Sequence, residues 1–447
     1  MNDDHRPLDI LITGGTLLTM NADLTVVENP VIGVREGKIA FVENARLNGD
    51  RTRESGEVID ATGCLILPGL INTHTHAAMV CFRGIADDLP LMKWLNDYMF
   101  PLEKKYVNRD MVYQGTLLAI AEMIQSGTTT FCDGYFFAGQ VAKAAVTAGM
   151  RAVPSVGFFD LDNPDSDPEK IRIHTQTADQ YIEKWQGKSP LVTPALFPHS
   201  PYLCSPGTLR ELKTVARRAG IPFITHLAET QDELRTIRER YGLTPIRHLA
   251  SLGVLDEGTV AVHCNWPDDE EISILGDHGV KISHNPESGM KLAAGLCPVP
   301  KLQARGIAVG LGTDGCASNN DHDMFGEMGT AAKVHKLITM DPTVMDAKTV
   351  LKMATIDGAR VLGQDRFIGS IEVGKFADII IVGMNKPRLT PLHNPYSQVV
   401  YAATGDDVDT TIVHGKILMK RRKLTTIPLE EVMDDINRLA GRIRDNT

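Results

Sequence analysis

Short apolar runs recur along this chain, and the stretches between them carry apolar residues at helical spacing. Eight runs stand out in the middle of the chain: 67–76, 128–135, 151–157, 191–200, 222–229, 259–264, 281–286 and 307–315. A short apolar run bounded by turn residues reads as a buried strand. Strands alternating with helices form βα units, and eight units predict a (β/α)8 TIM barrel. The two ends have a different texture. Residues 9–20, 31–43 (with a turn at Glu36-Gly37) and 57–59 are short β signals, and the same texture returns at 376–382 and 410–419. Together the ends predict one small β-sandwich domain into which the barrel is inserted. The expected boundaries are 1–66 and 370–424 for the small domain, 67–369 for the barrel and 425–447 for a C-terminal helix, amphipathic over 428–445. The Gly14-Gly15 pair reads as a hairpin turn. No Gly-Lys-Ser/Thr follows it, so it is not a phosphate loop.

The candidate chemistry sits where these runs end. The first run reads LPGLINTHTH. Side chains alternate along a strand, so His74 and His76 point to the same side at its C-terminal end. Later runs end on His199, on His226 and Glu229, on His263, on His284 and on Asp314. Barrel enzymes place their catalytic groups at these C-terminal strand ends. Taken alone, His226 reads as a core histidine and Asp314 as a turn or N-cap aspartate; their shared position on strand ends favours ligands. His74, His76, His226 and Asp314 would supply three nitrogens and one oxygen, a set suited to zinc and compatible with iron(II) or manganese. Such an ion lowers the pKa of a bound water towards ~7. Glu229, three residues past His226, would lean over the metal without binding it. A buried carboxyl there would have a raised pKa and could donate a proton. His263 would take a proton from the water and orient it.

Size and charge narrow the class. The 447 residues are too many for one sandwich and suit a barrel plus a smaller domain; 43% are apolar. The net charge of −10 argues against a nucleic-acid partner. Seven cysteines without pairing suggest a reducing compartment. The first ten residues lack a signal-peptide pattern, and no run approaches the ~18 apolar residues of a membrane span. The expectation is a soluble cytoplasmic protein.

The motifs PGLINTHTH, HLAE, AVHC, SHNP and GTDG resemble those of the amidohydrolase superfamily, in its mononuclear aminohydrolase branch. Within that branch the chain is similar to the 5′-methylthioadenosine/S-adenosylhomocysteine deaminases. The similarity rests on 81–103 (CFRGIADDLPLMKWLNDYMFPLE), 197–202 (FPHSPY) and 283–295 (SHNPESGMKLAAG). The resemblance implies one metal on His74, His76, His226 and Asp314; binuclear sites of this kind carry a lysine on the fourth strand, and 191–200 has none. It implies that Glu229 protonates the purine ring nitrogen beside the amino-bearing carbon, while His263 and Asp314 handle the protons of the attacking water. It places a ribose-binding glutamate on Glu103 and nucleoside contacts on Trp94 and His199. The implied substrate is a small nucleoside: 5′-methylthioadenosine, with S-adenosylhomocysteine and adenosine as further candidates. Fold-level analogy suggests a homodimer or higher homo-oligomer.

One departure bears on specificity. Relatives that grip the homocysteine carboxylate place arginines after the third strand, whereas this chain has Val156 there, followed by an acidic stretch at 160–165. A missing carboxylate partner predicts a preference for 5′-methylthioadenosine. Arg83 and Arg172 are the remaining candidate partners. Among weaker readings, His284 would shape the pocket, and Ser318 would cap the helix after the eighth strand. Met79, Met92 and Met99 would line a thioether pocket or pack the core; Trp185 and Trp266 read as structural. The rival enzyme reading is a deaminase of guanine, 8-oxoguanine, a pterin or a triazine. A non-catalytic assembly barrel is disfavoured, because every ligand and both proton-transfer groups are present.

Overall fold

A computed structural model describes residues 7–44, 55–160 and 166–444. Eight parallel strands lie side by side in sequence order. They are β1 (Leu70–Thr75), β2 (Thr128–Tyr135), β3 (Arg151–Phe158), β4 (Ala195–Pro198), β5 (Phe223–Leu227), β6 (Thr259–His263), β7 (Lys281–His284) and β8 (Val309–Leu311). Most positions in these strands are buried, because helices cover one face and barrel side chains fill the other. The interior is packed by Ile71, Cys132, Val153, Phe197, Ile224 and Val260 among others. Register is in step where it matters for chemistry: His226 of β5 stands opposite Val262 of β6, and Leu227 opposite His263.

The N- and C-terminal segments build two facing sheets. One has four strands; the other has seven and joins both ends of the chain, with Cys64–Pro68 paired antiparallel to Ile379–Gly383. Between them Ile10, Ile12, Ile32 and Ile59 meet Leu17, Ile66, Ile379 and Ile412 in a core separate from the barrel's. The turn at Glu36-Gly37 closes a hairpin with both residues at positive φ (52° and 75°), a type I′ arrangement. The C-terminal helix spans Leu429–Arg444 and buries Val432, Ile436, Leu439 and Ile443 along one stripe.

Two local expectations need correction. The run 67–76 is not one strand. Leu67 and Pro68 belong to the sandwich, and the chain enters the barrel only after Gly69. Side-chain periodicity is uninterrupted there, so the break is legible only in three dimensions: a Cβ on Gly69 would lie 2.0 Å from the Thr129 hydroxyl. Gly14-Gly15 is likewise not a hairpin turn. Leu8–Thr13 lies in the four-stranded sheet and Thr16–Leu18 in the seven-stranded one, so the glycines carry the chain from one layer to the other. Both have positive φ, and a Cβ on Gly15 would come within 2.5 Å of the Ala61 carbonyl.

A buried ion pair fastens sandwich to barrel. Arg151, at the start of β3 and 3% exposed, donates from Nε to Asp378 Oδ2 (2.8 Å) and from Nη2 to Oδ1 (3.1 Å). Asp378 also accepts from the His414 amide at 2.7 Å, and its carbonyl accepts from Gly69 N–H at 3.0 Å. The seven cysteines are unpaired. Among the described residues no helix is long and apolar enough to cross a membrane. Removing one partner of the ion pair strands the other charge in a dry interface. Asp378→Ala should therefore destabilise the fold by about 3–5 kcal/mol, read from denaturant unfolding. A loss under about 1 kcal/mol, the range of exposed pairs, would contradict this fastening role.

Candidate active site

His74 lies in β1 and is fully buried; His76 follows the strand's last residue and precedes the short 3₁₀ helix Ala77–Phe82. Their rings stand 4.7 Å apart and nearly perpendicular. His76 Nδ1 donates to the Gly134 carbonyl at 2.6 Å, which leaves its Nε2 lone pair facing the barrel mouth. There Asp314 Oδ1 is 3.4 Å from Nε2 of both His74 and His76. His226 Nε2 is 3.3 Å from His74 Nε2. His263 converges on the same spot, its ring atoms grouping with those of His74 and His226.

These separations fit a metal. At the roughly 2.0–2.1 Å bonds of a tetrahedral zinc site, ligand atoms stand about 3.3–3.4 Å apart. The protonation states fit as well. Burial lowers His74 and His263 to about 4 and His226 well below its usual value, so the imidazoles are neutral with lone pairs available. Burial pushes the Asp314 carboxyl up, but its bond to His74 and the nearby imidazoles override this and hold it well below the usual range. The inward-facing geometry has a cost: among the described residues, Nδ1 of His74 and of His226 is buried without a partner. Asp314 itself sits at φ 63°, its Oδ2 accepting from Ser288 (2.7 Å) and Ser318 (3.0 Å) hydroxyls. Ser318 therefore holds Asp314; the next helix of a turn or more, Met324–Thr339, is capped by Asp323 instead.

Glu229 follows the end of β5, 8% exposed, with Oε1 3.8 Å from His263 Nε2. Burial, reinforced by the Asp314 charge, pushes its carboxyl up to about 8, so it is protonated at neutral pH. Its backbone is held by a residue that the sequence reading did not single out. Glu233 Oε1 and Oε2 accept from the amides of Ala228 (3.0 Å) and Glu229 (2.8 Å), while the Asn265 side chain donates to the Glu229 carbonyl (3.0 Å). The available signal was the Thr-x-x-Glu spacing of 230–233, a capping box. Here the glutamate reaches one and two residues beyond the cap and restrains Ala228 at φ 51°.

A cavity opens above this cluster, with the concave, mainly apolar lining and few convergent polar groups of a small-molecule site. Its wall is largely apolar: Leu91, Trp94, Met99, Phe136, Phe159 and Leu292. Phe136 and Phe159 stack at 5.5 Å, and Phe159 in turn lies 5.0 Å from His199. Glu103 also faces the cavity; burial raises its pKa, and Tyr135 donates to its Oε1 at 2.7 Å. Trp94, Met99 and Glu103 come from one helical stretch, Leu91–Tyr106, which contains a π turn at Leu95–Met99. The extra residue in that turn brings positions 94, 99 and 103 to the same lining face, and π turns of this kind often mark functional sites.

Several weaker readings resolve differently. His284 does not line the cavity; its Nε2 pairs with His335 Nε2 at 3.0 Å behind β7. Met79 and Met99 line the cavity, whereas Met92 is 37% exposed on the outer side of its helix. Arg83 is paired with Glu122 and lies 3.3 Å from the Cys316 sulfur, while Arg172 is a surface residue paired with Glu169. Neither lines the cavity. Asp160 is buried and accepts from the Ser205 amide at 2.8 Å; the remainder of the acidic stretch, 161–165, lies outside the described residues.

Residues 65–418 match the Amidohydrolase family. A relative from Syntrophobacter fumaroxidans named 5-methylthioadenosine/S-adenosylhomocysteine deaminase is 47% identical over 98% of each chain. One from Methanosarcina mazei named 5′-deoxyadenosine deaminase is 42% identical over 97% of this chain and 98% of its own. A solved structure described as a Xanthomonas campestris adenosine deaminase with bound zinc superposes with a TM-score of 0.92. It is 35% identical and covers 98% of this chain and 99% of that one.

Ligand and proton-donor roles separate by substitution. His226→Ala should purify nearly free of metal, whereas Glu229→Gln should keep the native complement, both read by elemental analysis. Metal retained in His226→Ala, or lost equally in both, would contradict the assignment.

Proposed function

The chain belongs to the amidohydrolase family, and from that premise we propose that it hydrolytically deaminates adenine nucleosides bearing an uncharged 5′ substituent. The leading substrate in this reading is 5′-methylthioadenosine, converted to 5′-methylthioinosine and ammonia. The observation that carries the proposal is a protonated, buried Glu229 beside two overlapping groups that share His74, one with His76 and Asp314 and one with His226 and His263, at the floor of a largely apolar cavity. His74, His76, His226 and Asp314 would hold one divalent ion, zinc by their donor set. Bound there, the ion supplies an acidified water as nucleophile near neutral pH.

This chain's own residues do the rest. The amino-bearing carbon of adenine is a poor electrophile while the ring is neutral. Glu229 donates its proton to the adjacent ring nitrogen as attack proceeds, so electron density moves onto that nitrogen rather than building on the carbon. His263 and Asp314 take the two protons of the attacking water; one goes to the departing amine, which leaves as ammonia, and the other restores the proton that Glu229 gave to the ring. Glu103 accepts from the ribose hydroxyls, with Tyr135 fixing its free rotation through the 2.7 Å bond. Trp94 and His199 cover the nucleoside. A sugar-binding carboxylate on the wall favours a nucleoside over a free base or a triazine.

Specificity follows from what the cavity wall contains. Among the described residues no lysine or arginine lines it. The zwitterionic tail of S-adenosylhomocysteine would lose its hydration there without a cationic partner, a costly transfer. A methylthio or methyl group at the 5′ position meets Leu91, Met99 and the aromatic wall instead.

Ammonia release at equal substrate concentration tests the reading. 5′-Methylthioadenosine and 5′-deoxyadenosine should lead, adenosine should follow, and S-adenosylhomocysteine and guanine should trail. Equal or higher kcat/KM for S-adenosylhomocysteine would contradict the missing-cation argument, and activity confined to free bases would overturn the nucleoside pocket. Glu229→Gln should lower kcat by about 10²–10⁴-fold, the usual worth of a placed acid. Because the neutral acid is the active form, kcat should fall as pH rises through about 8. A kcat flat from pH 7 to well above that value would remove Glu229 from the proton-donor role.

A further inference from the structure

Consecutive barrel strands from β1 to β8 are joined by backbone ladders, yet among the described residues no ladder closes β8 onto β1. This seam lies between the strands that lead into His74 and Asp314. What closes it is largely side-chain bonding. Asn72, fully buried, donates from Nδ2 to the Thr313 hydroxyl at 2.8 Å, and its Oδ1 accepts from Thr313 N–H at 3.1 Å. The same Oδ1 lies 3.4 Å from His74 N. One primary amide thus spans the residues immediately before Asp314 and within two positions of His74. The Asp314 amide then donates to the His74 carbonyl at 3.0 Å. Nearer the start of the seam, Thr73 donates to the Leu311 carbonyl at 2.8 Å and lies 2.7 Å from the Ser283 hydroxyl. The approach is too close for any side chain at Gly312, where a Cβ would sit 2.8 Å from His74 N.

We propose that Asn72 is a positioning residue for the metal site, setting the separation of His74 from Asp314 across the unladdered seam and thereby the retention of the ion. The proposal rests on reading the four-residue cluster as a metal site. A ladder would fix the relative height of two strands through repeated bonds. Here Asp314 is at φ 63°, outside any ladder, and the Asn72 amide supplies the paired donor and acceptor that a ladder residue would otherwise provide. Thr73 stabilises the seam but reaches no ligand residue, so it serves as the structural comparison.

The test uses full-length protein loaded with one equivalent of zinc and mixed with excess chromogenic chelator. Asn72→Leu keeps similar bulk and removes both bonds; zinc release should be about 10–100-fold faster, the usual effect of losing an outer partner of a ligand. Asn72→Asp keeps an acceptor for Thr313 N–H, and the Thr313 hydroxyl can turn to donate to it, so this variant should recover most of the retention. Thr73→Val should lower the denaturation midpoint while releasing zinc at the native rate. Asn72→Ser, too short to span the seam, replaces Asn72→Leu if the latter does not fold. Native release from Asn72→Leu or Asn72→Ser, or release from Thr73→Val as fast as from them, overturns the positioning role alone. Native protein that takes up no zinc overturns the metal reading with it.

Discussion

The fold is organised around a convergence of side chains from three separate strand ends where water is scarce: Asp314 Oδ1 lies 3.4 Å from Nε2 of both His74 and His76, and His226 Nε2 lies 3.3 Å from His74 Nε2. Three imidazoles and a carboxylate do not gather in such a place unaided. Burial makes His74 and His226 neutral, which gives them lone pairs but no charge to balance the aspartate. A cation at the centre would resolve both problems: it would use the lone pairs and neutralise the carboxylate. The barrel provides the rigidity this requires, since parallel strands buried on both faces hold their ends in fixed register.

The same low-polarity setting divides two carboxyls into two roles. Asp314 accepts from two serine hydroxyls and the Gly315 amide and lies against imidazoles, so it stays ionised. Glu229, two residues past β5, has no such donors on its side chain among the described residues, and burial together with the Asp314 charge keeps its proton on. Each carboxylate's state reinforces the other's: an ionised Asp314 disfavours a second negative charge beside it. The Glu233 clamp completes the division by fixing the Glu229 backbone while leaving its side chain facing the cavity.

Much of this was legible in the sequence because it is local. A His-x-His at the end of an apolar run, a His-x-x-Glu after another and Gly-Thr-Asp-Gly after a third mark strand ends by pattern alone, and the structure gathers those residues at one end of the barrel. What was not legible depends on partners distant in sequence. The apolar run 67–76 has the same local pattern whether it forms one strand or two; only its pairing with Ile379–Gly383 assigns Leu67 and Pro68 to the sandwich. Thr13 and Thr16 are similar in texture but lie in different sheets. The π turn at Leu95–Met99 leaves no sequence signature, although it determines that Trp94, Met99 and Glu103 share the cavity. His284 ends a run as His263 does, and only the fold shows it paired with His335.

The most direct test of the account is 5′-methylthioadenosine turnover by protein stripped of metal by chelation and then reloaded. The account predicts that stripping abolishes ammonia release and that a single equivalent of zinc per chain restores it. Full turnover by the stripped protein, or none after reloading in protein that has bound its zinc, would contradict it.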